Sequence, residues 1–288
     1  MQIMNEAVFR FLNRKPVKWT FSGGIILNGL IALFRATGDQ DCRRAVLDYM
    51  ESSVSPEGTV LCAPACLPTD LAACGKTLFF TLDETGDTQY QKAMDFVADR
   101  IKAESLPDTP EGLYAVMPFL AEYDTRFGGK QTYKAIANQF KVVHQRLFDP
   151  EKGLYCAENG LFPIRDEGLM LMALADTAEK LDMQIYEHYR TLADLLLEAA
   201  RGISLKKQYS SLLLPRNTTE ETHDLSGRAL IIAALQKGVR LQLLNEEKYL
   251  PLAALLRSSL TAHYIAGFPC DPGPWMLLQA EAEEVERS

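Results

Sequence analysis

The chain has 288 residues, 47% of them hydrophobic, a formal net charge of -8 and a pI near 5.2. That composition is enough for a large buried core, and the acidic balance excludes general attraction to nucleic acid or to an anionic membrane surface. An acidic ligand would need a local cationic pocket against this field. The N-terminal stretch has no basic start, no continuous apolar run and no small-residue cleavage site, so it does not read as a secretory signal. No run of about 18 apolar residues is present, and a cytoplasmic address is expected by elimination.

In chain order, two kinds of segment alternate. Gly24–Phe34 is apolar nearly all round. Asp41–Met50 is one-faced, with Cys42, Ala45, Val46, Tyr49 and Met50 at helical spacing. Leu71–Leu82 is again apolar all round, and Gln89–Ile101 again one-faced through Tyr90, Ala93, Met94, Val97 and Ile101. The alternation continues through Gly112–Ala121, Lys130–Leu147, Gly168–Ala175, Gln184–Ala200, Leu225–Leu235, Glu246–His263 and Pro274–Ala282. A helix apolar on every side must be surrounded, whereas a one-faced helix can sit outside. With Met1–Phe11 as the first outer helix, the pattern predicts an all-α fold. It is an (α/α)6 toroid, six inner and six outer helices in one domain over residues 1–288.

Thr37-Gly38-Asp39 recurs as Thr85-Gly86-Asp87, each after an apolar helix and before an amphipathic one. Gly supports the tight turn and Asp can cap the next helix. Phe127-Gly128-Gly129-Lys130 is a looser third copy. A period of roughly 40–50 residues per helix pair indicates a repeat architecture. β signals are weak. The Pro-, Gly- and Asn-rich stretches Ser55–Leu67, Glu104–Glu111, Pro150–Ile164 and Ser204–Glu221 read as loops gathered on one face of the ring, where a site would form.

Cys62, Cys66 and Cys74 invite a metal reading, but the spacing is irregular and no His is nearby; buried reduced thiols fit better, and no metal site is expected. His144, His188 and His263 fall on amphipathic outer helices and read as surface residues. His223-Asp224 is no dyad, because neighbours on one helix turn do not face each other. No phosphate loop or dinucleotide-binding glycine turn is present.

Trp19-Thr20-Phe21, Glu111-Gly112-Leu113-Tyr114 and Ser226-Gly227-Arg228-Ala229 together resemble the unsaturated glucuronyl and rhamnogalacturonyl hydrolases, glycoside hydrolase families 88 and 105. Trp19-Thr20-Phe21-Ser22-Gly23-Gly24 is similar to their W-x-[YF]-x-x-G opening. Asp70 with Gly75-Lys76 follows. Glu111-Gly112-Leu113-Tyr114-Ala115-Val116-Met117-Pro118-Phe119-Leu120-Ala121-Glu122-Tyr123 resembles D-G-L-Y-M-x-x-P-F-L-A-x-Y and is the most specific block. Arg165-Asp166-Glu167-Gly168-Leu169 stands where the family has R-G-N-G-W. Ser226-Gly227-Arg228-Ala229 with Lys237-Gly238-Val239-Arg240, and the terminal Gly273-Pro274-Trp275, complete a match over nearly the whole chain. Two departures stand out: the family's catalytic Asp is Glu111, and its Trp is Leu169.

The resemblance implies hydration of a vinyl ether rather than displacement at C1. The substrate is an oligosaccharide whose non-reducing uronate carries a C4=C5 double bond. A carboxylic acid protonates C4, positive character develops at C5 and the ring oxygen, water adds at C5, and the hemiketal opens to release the leaving sugar. No cofactor is implied. Glu111 takes the catalytic position, with Asp70 as a second carboxylate holding water. Arg165, Arg228 and Lys76 are candidates to hold the uronate carboxylate. Trp19, Phe21, Tyr114 and Trp275 are possible sugar platforms, and His223 a possible pocket residue. Each has a plainer reading: helix-terminal charge for Glu111 and Asp70, ion pairs to Asp166, Glu167 or Asp224 for the cations, core packing for the aromatics. A sugar epimerase-like or phosphorylase-like toroid would place His residues or phosphate donors in the pocket. A toroid that has lost its chemistry and binds a sugar or protein would leave Glu111 ion-paired or turned away.

Overall fold

A computed structural model of the chain describes residues 12–13, 18–63, 66–156, 163–205, 221–265 and 271–287, with the backbone alone at 205, 221–224 and 262–265. Among the described residues eleven helices alternate between two environments. The inner set is α1 (Phe21–Thr37), α3 (Pro68–Thr85), α5 (Pro110–Tyr123), α7 (Ile164–Lys180), α9 (Glu221–Arg240) and α11 (Pro272–Arg287). The outer set is α2 (Gln40–Glu51), α4 (Thr88–Lys102), α6 (Tyr133–Leu147), α8 (Tyr186–Leu205) and α10 (Glu246–Ile265). The expected outer helix Met1–Phe11 lies outside the described residues.

Burial follows the sequence pattern. α1 buries side chains on every face, among them Ile25, Ile26, Leu27, Leu30 and Leu33, whereas α2 buries one stripe of Cys42, Val46, Tyr49 and Met50. The inner helices touch in the cyclic order α1–α3–α5–α7–α9–α11, and α11 packs back on α1. The ring therefore closes. The (α/α)6 toroid expected from the alternation is the observed architecture.

The repeated turn works as its residues imply. Gly38 and Gly86 end α1 and α3 in the left-handed region, at φ 78° and 74°, and donate to the Phe34 and Leu82 carbonyls. Asp39 then caps α2 by accepting from the Asp41 N–H at 2.9 Å. In the third copy a π-turn, Asp124–Gly128, precedes Gly129 at φ 73°.

Two local expectations need correction. The stretch 150–164 is not loop throughout: Leu154–Tyr155 (β2) pairs antiparallel with Phe148–Asp149 (β1). Strands of two residues are too short for alternation to show in the sequence. The turn between them is closed by Asp149, which accepts from the Glu151 and Lys152 N–H groups at 3.0 Å. His144 is also not on the surface. It lies on the buried stripe of α6 beside Phe140 and Val143, and its Nδ1 shares a 2.9 Å hydrogen bond with the Tyr155 hydroxyl. No helix among the described residues is long and apolar enough to cross a membrane.

Candidate active site

The N-terminal ends of the inner helices meet at one mouth of the ring. Thr20 and Thr109 cap α1 and α5, accepting from the Gly23 and Gly112 N–H groups at 3.1 Å. Phe21 and Glu111 thereby fall in first turns. Asp70 Oδ1 accepts the Phe21 N–H at 2.7 Å and Oδ2 the Leu67 N–H at 3.4 Å, so one carboxylate clasps the starts of α1 and α3. Arg165, in the first turn of α7, donates from Nη2 to Glu111 Oε2 at 2.8 Å. Its guanidinium lies 5.6 Å from the Phe21 ring centroid.

The remaining helix ends join the same mouth. Gly227 of α9 backs onto α7 so closely that a Cβ there would come 2.5 Å from the Ile164 carbonyl oxygen. The Ser226 hydroxyl donates to Asp271 Oδ2 at 3.0 Å and accepts the Asp271 N–H at 3.1 Å, tying α9 to the start of α11. The inner-helix N-termini, which carry partial positive charge, are thereby linked to one another around Glu111 and Arg165. That field favours an anion despite the chain's overall negative charge. The Arg165 and Glu111 side chains are 34% and 41% exposed, so the pair is open to an incoming ligand.

Deeper in the ring, Phe21 meets Tyr114 edge-on at 5.9 Å. Lys76 Nζ lies 4.0 Å from the Tyr114 ring centroid and donates to its carbonyl at 3.2 Å. Burial, with Lys237 and Lys180 adding to it, pulls the Lys76 amine down to about 8; Asp176 opposes the shift. Lys76 keeps some accessible surface because it lines a cavity of about 100 Å³ near the opposite, C-terminal end of the inner helices. There Lys237 pairs with Asp176 at 2.7 Å and Glu179 at 2.8 Å, and Arg240 with Glu281 at 2.9 Å. These cations offset the negative helix ends.

A model of glycosyl hydrolase family 88 matches residues 1–265. The chain belongs to that family. Among solved structures it is similar to a family 105 glycoside hydrolase from C. acetobutylicum, with 23% identity, a TM-score of 0.76 and 98% of each chain covered. It is also similar to a family 88 glycosyl hydrolase from Bacteroides vulgatus, with 18% identity, a TM-score of 0.74 and coverage of 99% of this chain and 97% of that one. A possible family 105 member from Salmonella enterica matches with 17% identity and a TM-score of 0.72 over 93% of this chain and 83% of that one. No curated protein matches the chain.

For this family 88 member, the structure links six of the residues singled out from sequence into one string. Asp70 holds the Phe21 backbone, the Phe21 ring lies under Arg165, Arg165 binds Glu111, and the Phe21 ring leads through Tyr114 to Lys76. Trp19, 2% exposed, packs in the core, and its backbone N–H donates to Cys62 Sγ at 3.4 Å. Trp275 and Arg228 are buried at 6% and 4% on α11 and α9. The side chains of His223 and His263 lie outside the described residues. The three cysteines that invited a metal reading bond backbone: Cys66 Sγ donates to the Cys62 and Trp19 carbonyls, and Cys74 Sγ to the Thr20 carbonyl at 3.4 Å. Burial pushes the Cys66 thiol up to about 12, which keeps it a donor.

Two carboxylates beside Arg165 were not singled out from sequence as site residues. Asp166 is half-buried, and burial together with the Glu111 charge raises it above the ordinary aspartate range against the pull of Arg165. Glu167 is 4% exposed and burial pushes it up to about 8. The available signal was their place in the R-G-N-G-W-like block, where charged residues stand for Gly and Asn.

Proposed function

We propose that this family 88 protein hydrolyses unsaturated uronyl oligosaccharides, of pectin, rhamnogalacturonan or glycosaminoglycan origin, by acid-catalysed hydration of the C4=C5 bond, as a single cytoplasmic domain. The observation that carries the reading is the family 88 match over residues 1–265, with Arg165, 2.8 Å from Glu111, as the cation for the uronate. Glu111 uses one N–H of the guanidinium, and a guanidinium has five donors. The substrate's uronate carboxylate can therefore bind Arg165 while the vinyl ether lies beside the carboxyl groups of the mouth. Phe21, itself 8% exposed, supports Arg165 from below.

The family match favours a hydrolase over an epimerase-like toroid. The ion pair is also what a binding-only toroid would show, and turnover separates the two. Unsaturated disaccharides made by pectin or glycosaminoglycan lyases are incubated with the protein and absorbance near ~235 nm is followed. Loss of the chromophore is expected, because protonation at C4 and addition of water remove the double bond. Glu111→Gln should lower kcat by about 100-fold or more. Arg165→Lys, which keeps the charge and loses the fork, should act mainly by raising KM. A wild-type protein inert across the panel overturns the hydrolase reading.

A further inference from the structure

The cavity toward the C-terminal ends of the inner helices is not used by the reaction at the mouth. It holds about 100 Å³, with Lys76, Lys237 and Arg35 among its polar walls and Ile31, Phe79 and Leu277 among its apolar ones. That is room for about three water molecules, so its occupant is small.

Every carboxylate that lines this cavity is already paired. Asp176 meets Lys237 at 2.7 Å, and Glu179 meets Lys237 at 2.8 Å and Arg240 at 3.0 Å. Glu281 meets Arg240 at 2.9 Å. Glu122 meets Lys180 at 3.0 Å and Arg126 at 2.6 Å, and Arg126 is shared with Asp83. Lys76 is the exception. Its Nζ donates to the Tyr114 carbonyl at 3.2 Å and lies 4.0 Å from the Tyr114 ring centroid, and among the described residues it joins no ion pair. An ammonium group has three N–H donors, so Lys76 has donors to spare. Arg35, exposed at the rim, also joins no ion pair among the described residues; its guanidinium lies 5.8 Å from the Phe80 ring centroid.

We infer that this cavity is a binding site for one small monoanion, of the size of chloride or acetate, seated on Lys76 Nζ. A water molecule there would accept a hydrogen bond and leave the charge unbalanced; an anion does both. A dianion would overcompensate the single unpaired ammonium beside Asp176, Glu179 and Glu281, which the same cavity presents. The apolar walls suit a methyl group or a weakly hydrated halide. Burial pulls the Lys76 amine down to about 8, with Lys237 and Lys180 adding to it and Asp176 opposing. An anion in contact favours the charged form and would push it back up. Phe21 and Tyr114 come between Lys76 and Arg165, so this place is separate from the one proposed for the uronate.

The test uses the full chain at pH 7 and constant ionic strength, with chloride or acetate replacing gluconate, an anion too bulky for the cavity. Tm should rise by several degrees and level off, as for a ligand that binds only the folded state. Lys76→Met keeps the length of the side chain and removes the charge, and should lose that rise. A rise that persists in Lys76→Met comes from another cation, such as Arg165 at the mouth, and overturns the proposal. A wild-type Tm that ignores chloride and acetate alike overturns it too. A second measurement needs no variant: crystals of the wild type soaked in sodium bromide should show an anomalous peak in contact with Lys76 Nζ. A cavity without bromide under those conditions overturns the assignment.

Discussion

Glu167 has one oxygen satisfied and one not: Oε2 accepts the Tyr155 N–H at 2.8 Å, and Oε1 has no partner among the described residues. Burial pushes it up to about 8, so it is largely neutral at pH 7. In the unfolded chain it would ionise near the ordinary 4.5. The folded state binds the extra proton between these values. The associated stability is therefore full below pH 4.5, declines as pH rises, and is lost through pH 8. Glu167→Gln keeps the shape and removes the titration. The mutant should be flatter in Tm between pH 5 and pH 8.5, and more stable than wild type at the upper end by on the order of 2–4 kcal/mol. Chemical denaturation at several pH values measures this; parallel pH profiles for the two proteins would refute it. Lys76 shows the same physics with the opposite charge. Its amine has a backbone carbonyl and a ring face for partners, whereas Lys237 nearby has two carboxylates and is raised.

Between elements, closeness of approach decides what the first turns can do. Gly168 of α7 sits against α9 so tightly that an added Cβ would come 2.4 Å from the Gly227 carbonyl oxygen. The contacting atom is backbone, so neither helix can yield by changing a rotamer. Gly168→Ala should separate the two helices at the level of Arg165, cost about 1–3 kcal/mol, and raise KM more than an equally destabilising change on an outer helix. Urea melts and steady-state kinetics would check it. The same contact explains why glycine stands at 168 and 227, in the blocks that also carry Arg165 and Arg228. Those blocks were legible in the sequence as motifs. That Gly168 and Gly227 face each other was not, because nothing local links positions on two helices.

At the scale of the molecule, closure makes the mouth. α11 returns to α1 through Gly273, where a Cβ would come 2.7 Å from Ile25 Cγ2 and 2.8 Å from its carbonyl carbon, and through Gly29, which faces Met276. Gly273→Ala acts at this seam, far from Glu111 in sequence. It should lower Tm by several degrees, as expected for about 1–3 kcal/mol, while unfolding remains one cooperative transition. Calorimetry showing two separated transitions would argue against one domain. The far end is braced by charge instead, with Lys237, Arg240, Glu179 and Glu281 spanning α7, α9 and α11.

The alternation of all-round and one-faced apolar segments was sufficient to anticipate the six inner helices and the five outer ones among the described residues. Amphipathicity is local: each residue's burial depends on the face its own helix turns inward, and that face is written at spacings of three and four. The Thr-Gly-Asp turns were equally readable, since a left-handed cap needs glycine wherever it occurs. Which acidic groups share the mouth was a different kind of question. Glu111 and Arg165 are 54 residues apart, Phe21 and Asp70 are 49 apart, and their meeting depends on where each helix starts and how closely its neighbours pack. Asp70 became a clasp through ring geometry, because the donors that a carboxylate meets are set by which helix starts lie around it in space.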